Sequence, residues 1–183
     1  DLLLVGGGMA CTGAAVEAMA WAKAAGVKVT LVDKAALDRS GAVAMGLSAI
    51  NTYIGSENKV ADYVNMVRTD LMGIIREDLV YSVGAHVDQT VHDFQDWGLP
   101  IWQKDNENHT VDGQVARDEG LPLLKDGGKC CRSGRWQCMI NGESYKVIVA
   151  EAAKNALGME NIYERVFIVK LLTDKNNANK VCG

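Results

Sequence analysis

The sequence contains no apolar run of the roughly 18–20 residues that crossing a bilayer requires. Its nearest approach, residues 10–25, is interrupted by Thr12, Glu17 and Lys23. Direct membrane insertion is therefore not expected. No charged start followed by a short apolar core marks a secretory leader. An excess of positive charge is missing too: 19 Lys and Arg face 23 Asp and Glu, for a net charge of −4. That balance gives no electrostatic footprint for nucleic acid. The five cysteines (Cys11, Cys130, Cys131, Cys138, Cys182) show no C-x-x-C spacing, which argues against a zinc or iron–sulfur site. Their odd number and irregular spacing also argue against a disulfide framework, so reduced thiols in a cytoplasmic protein are expected. His86 and His92 fall on different faces of an expected helix, and His109 lies in a polar stretch. No metal site is expected from them. Repeats and low-complexity tracts are absent as well.

What is present suits a globular chain: 183 residues, 48% hydrophobic and 23% charged. It opens inside an apolar run without a methionine and closes at Gly183 just after an expected strand. We therefore expect a piece of a longer polypeptide. Residues 1–5 read as a strand buried on both faces, Gly6-Gly7-Gly8 as a turn, and the alanine-rich Met9–Ala25 as a helix stopped by Gly26. Val27–Val32 reads as a second strand ending at Asp33. Helical spacing recurs over Lys59–Met72, Asp78–Trp97 and Glu143–Leu157. Glu77 and Asp78 are placed to cap the second of these. Residues 103–134 read as a polar surface excursion, Val166–Leu172 as a strand, and 176–179 as a turn into a last strand near Val181.

The β-α-β pattern of residues 1–33 is the size of a mononucleotide-binding unit. In the motif G-x-G-x-x-G, the first glycine makes the turn and the second admits a pyrophosphate. The third lets helix and strand pack closely. Gly6 and Gly8 fill the first two positions, while Cys11, small and apolar, stands at the third. The helix that follows turns its amides and positive dipole end toward phosphates. Asp33 closes the second strand, where a carboxylate accepts hydrogen bonds from ribose hydroxyls. These features indicate a dinucleotide without separating NAD from FAD. The small-residue segment 39–51 that follows, in place of a further helix and strand, suits a long ligand lying over it.

That segment, RSGAVAMGLSAINTYIG (39–55), resembles the flavin loop of the succinate dehydrogenase/fumarate reductase flavoprotein family, in its branch acting on adenosine 5′-phosphosulfate. VNMVRTDLMGIIREDLVY (64–81), WGLPIW (97–102), RSGRWQCMINGESYKVIVAEAAKNALG (132–158) and ERVFIVKLL (164–172) extend the resemblance over nearly the whole chain. It implies an α/β, Rossmann-like FAD-binding domain of the glutathione-reductase-like, fumarate reductase flavoprotein type, incomplete at its C-terminal side. Within it, residues 1–33 are the dinucleotide unit, 39–55 the flavin loop, 57–134 a helical and loop excursion, and 141–183 a helix with strands. Capping and C-terminal domains are expected elsewhere. The resemblance places the FAD pyrophosphate on Gly6, Gly8, Met9 and Ala10, the ribose on Asp33, and Lys34 beside the adenosine half. Ser40, Gly41, Gly46, Leu47 and Ser48 are expected at the middle of the cofactor and the flavin ring, and the Val166 backbone at the adenine. Membrane-bound relatives carry a flavin-linked histidine where this chain has Gly41, so the FAD is expected to be non-covalent. Asn51 is the expected substrate-site residue.

The implied reaction is two-electron reduction of adenosine 5′-phosphosulfate to sulfite and AMP, or its reverse. Electrons are expected through a partner β subunit that carries the iron–sulfur clusters. Two other readings stay open: a family member acting on a dicarboxylate, and a non-catalytic FAD-binding module. The family has Pro-Val where Cys130-Cys131 stand and an aliphatic residue at Cys138. No function is read into those thiols.

Overall fold

The computed structural model describes residues 1–47, 49–52, 59–101, 132–134 and 137–183, without the side chains of 132–134, 137 and 139. The chain divides into two compact units: residues 1–45 with 146–183, and residues 46–145.

In the first unit, β1 (Leu2–Val5) leads through Gly6–Gly8 into α1 (Met9–Ala25) and then β2 (Val29–Val32). The two strands pair in parallel, from Leu2 opposite Val29 to Val5 opposite Val32. α1 buries Ala15, Ala18 and Ala22, the three-to-four spacing of one helix face. Their small side chains allow a close approach to the sheet. Gly26 ends the helix at φ 66°, where its N–H reaches the carbonyls of Ala22 and Lys23. α5 (Gly142–Leu157) contributes Ala150, Ala153 and Leu157 to the same core, which also holds Val29, Leu31, Leu37 and Ile162. Burying a side chain such as Leu31 or Leu37 contributes about 2 kcal/mol.

The third strand is not the expected one. β6 is Ile162–Tyr163, parallel to β2 and giving the order β1-β2-β6. Residues 166–172 form no strand despite their apolar run. Arg165 takes a positive φ of 59°, and Phe167 and Val169 stand 70% and 83% exposed. An apolar run makes a strand only where a ladder partner accompanies it; here the backbone bonds fall at its two ends, Val166 to the Asp33 carbonyl and Leu172 with Cys182 and Gly183. The turn at 176–179 is present. The strand expected near Val181 is reduced to a single antiparallel bridge, Thr173 opposite Val181.

The second unit holds a small antiparallel sheet, β3 (Ala49–Asn51), β4 (Arg132–Gly134) and β5 (Gln137–Met139), in the order β3-β5-β4. It also holds α2 (Val60–Asp70), α3 (Glu77–Gly84) and α4 (Val87–Asp96). The single helix expected over 78–97 is thus two helices. A Cβ on Gly84 would come 2.8 Å from the Tyr63 ring of α2, so α2 and α3 cross closely there. Glycine is also a weak helix former, and the chain turns at Ala85–His86. Glu77 and Asp78 do not cap α3: the cap position is Arg76 and no side chain closes it. Instead Glu77 pairs with Arg68 and Asp78 with Arg76, each at 2.6 Å. No described helix is long and apolar enough to cross a membrane.

Candidate dinucleotide site

The glycine turn and the end of β2 face one another because β1 and β2 run parallel, so both finish at the same edge of the sheet. In open α/β sheets this carboxyl edge is where ligands bind. An open cleft of about 280 Å3 lies there. Gly6, Gly8, Asp33, Lys34, Ser40, Gly41 and Val166 all line it, joined by Gly7 and Phe167. Seven residues singled out from sequence therefore meet at one place. Val166 is held there by its N–H, which donates to the Asp33 carbonyl at 2.9 Å. Met9 and Ala10 begin α1 directly after Gly8.

The others are elsewhere. Gly46, Leu47 and Asn51 belong to the second unit. Asn51 ends β3 with an exposed side chain, and its carbonyl accepts from the Tyr63 hydroxyl at 3.5 Å. Gly142 presses on the Leu47 carbonyl so closely that a Cβ would overlap it. Ser48, His109, Cys130 and Cys131 lie outside the described residues. No group of three metal-ligating side chains occurs among the described residues.

Three observations test whether the cleft fits a dinucleotide. Asp33 is 2% exposed, and its Oδ2 has no hydrogen-bond partner among the described residues. A buried acceptor left alone is costly, and ribose hydroxyls are donors that satisfy it. Gly41, at φ 85°, brings its backbone against Gly8, where a Cβ would lie 2.8 Å from the Gly8 Cα. Two strips of bare backbone thus border the space that a pyrophosphate needs. Finally, α1 starts at the turn, and the first amides of any helix lack intrahelical partners and attract anions. Cys11, at the third motif position, packs against the core and donates its thiol to the Val5 carbonyl at 3.4 Å. Burial and the nearby Asp33 charge push that thiol's pKa up, so it serves packing rather than chemistry. The residues present fit the group.

Sequence reasoning missed one member of this neighbourhood. Lys146, on α5, is 3% exposed and donates to the Gly7 carbonyl at 2.8 Å and to the Leu37 carbonyl. A signal was available: Lys146 stands in the apolar series 146, 150, 153, 157 of its helix, a lysine where alanine and leucine recur.

No protein-family model matches the sequence. Adenylylsulfate reductase subunit alpha of Megalodesulfovibrio gigas is 63% identical over the whole chain, which spans 28% of that protein's length. A solved adenosine-5-phosphosulfate reductase in complex with sulfite, as a covalent adduct, is 55% identical with a TM-score of 0.79 over 100% of this chain and 26% of its own. E. coli quinol fumarate reductase superposes with a TM-score of 0.62 at 16% identity, over 99% of this chain and 28% of its own. The fold is that of fumarate-reductase-type flavoproteins. Within that class these 183 residues are homologous, from end to end, to the adenylylsulfate reductase alpha subunit.

Proposed function

We propose that the chain is the N-terminal part of the FAD-binding domain of an adenylylsulfate reductase alpha subunit. The full-length protein would interconvert adenosine 5′-phosphosulfate with sulfite and AMP on a non-covalent FAD in the cytoplasm. The observation that carries the reading is the buried Asp33 Oδ2, without a partner among the described residues and beside the glycine turn, within a chain 63% identical throughout to such a subunit. When bound, FAD supplies the two-electron chemistry. The chain's own residues orient it. Asp33 accepts from the ribose hydroxyls, the backbone at Gly6, Gly8, Met9 and Ala10 receives the pyrophosphate, and Lys34 borders the adenosine half. Ser40, Gly41, Gly46, Leu47 and Ser48 cover its middle and the flavin ring, while Val166 offers backbone to the adenine. Gly41 supports non-covalent binding, since no nucleophilic side chain stands there. Asn51 donates hydrogen bonds to substrate oxygens without adding charge. Residues 1–33, 39–55, 57–134 and 141–183 keep the parts assigned to them from sequence. A β subunit with iron–sulfur clusters delivers the electrons.

The test uses the full-length protein with its partner subunit. Sulfite plus AMP should bleach the flavin absorption, and adenosine 5′-phosphosulfate should restore it after dithionite reduction. Reoxidation by fumarate, with none by adenosine phosphosulfate, would move the protein to the dicarboxylate branch. No response to either would leave a non-catalytic FAD-binding module.

A further inference from the structure

The glycine turn rests on a buried cation whose presence the redox chemistry does not explain. Among the described residues, Asp33 is the only buried carboxylate and Lys146 the only buried amine. Lys146 reaches from α5 to two carbonyls: Gly7, the middle of the glycine turn, and Leu37, four residues past Asp33. Gly7 in turn touches Asp33, because a Cβ there would run into the Asp33 carboxylate and the Leu37 side chain. Lys146, Gly7, Asp33 and Leu37 therefore form one packed group. Burial lowers the ammonium's pKa, while the charges of Asp33 and then Asp38 raise it and Lys154 lowers it. A neutral donor would serve two carbonyls equally well. A buried ammonium costs desolvation and is retained where it answers negative charge. Here that charge is the Asp33 carboxylate, and a bound pyrophosphate would add more beside it.

We propose that Lys146 is a positioning residue of the cofactor cleft, locking the glycine turn to the Leu37 segment and offsetting the negative charge that Asp33 and the dinucleotide bring together. The proposal rests on the FAD reading above. It acts on cofactor affinity, through Asp33, and not on the reacting atoms.

The test is FAD titration of the full-length protein after removal of its flavin, read by quenching of flavin fluorescence, with the melting temperature of the flavin-free protein measured alongside. Lys146→Gln keeps donors for both carbonyls and removes the charge. It should raise the FAD dissociation constant at least about tenfold, the scale of losing one buried charge-assisted interaction, with little change in the flavin-free melting temperature. Asp33→Asn should also weaken binding, and the double variant should bind no worse than the weaker single one, because the two residues act as a unit. Additive losses would overturn the assignment, as would a dissociation constant within about twofold of the parent. So would a Gln variant that fails to fold while the Asn variant folds, since Lys146 would then serve folding alone. Failure of the unmodified protein to bind FAD would instead sink the cofactor reading.

Discussion

Gly7 shows how much a single atom decides here. A methyl group at this position would meet the Asp33 carboxylate and Leu37 Cδ1, both immobile because both are buried. Overpacking of this kind costs typically 1–3 kcal/mol. Gly7→Ala should lower the melting temperature of the full-length protein and displace Asp33 enough to weaken FAD binding. A variant that melts and binds like the parent would show that the carboxylate is not fixed by the turn. At this scale the sequence was informative where chemistry is written in residue type. Gly6, Gly8 and Asp33 could be read from their order alone. Lys146 was not read, because its role depends on carbonyls 139 and 109 residues away, and no local pattern reports such a distance.

Among the elements, those with a full period or a clear stop were legible. α1 ran from Met9 to a left-handed Gly26 as the alanine content and the glycine stop required. α5 ended before Gly158, at φ 77°. The failures had physical causes. β6 is two residues long and the second sheet's strands three each, too short to display alternation. Residues 166–172 are an apolar run fit for a strand, but such a run cannot tell whether a neighbour lies along its whole length. The run 78–97 kept helical spacing across a break set by a tertiary contact, Gly84 against Tyr63 and Val60. That contact is testable. Gly84→Ala improves helix propensity by about 1 kcal/mol, so on propensity alone it would stabilise. Its Cβ would come 2.8 Å from the Tyr63 ring and 3.1 Å from Val60, so packing should win. We expect net destabilisation of about 1–2 kcal/mol, measured by urea unfolding. A gain in stability would show that α2 and α3 yield easily.

For the molecule as a whole, the first unit leaves Leu3 and Val5 of β1, with Phe167, Val169 and Leu171, at least 45% exposed. A protein of this size rarely presents so many large apolar side chains to water without use for them. The 183-residue chain expressed alone should therefore bind a hydrophobic dye such as ANS and hold FAD far more weakly than the full-length protein. Tight, stoichiometric FAD binding by residues 1–183 in isolation would refute this. The near contact of Gly8 and Gly41 carries a consequence of another kind, for ancestry. Any descendant that gained a side chain at position 41 would first have to move the backbone at position 8, more than thirty residues earlier in the chain. The strain falls on position 41, whose backbone sits at φ 85°, whereas a Cβ at position 8 would meet the Gly41 Cα at an ordinary 3.7 Å. A lineage with this geometry cannot step directly to a flavin-linked histidine at position 41. It has to rebuild the glycine turn on the way.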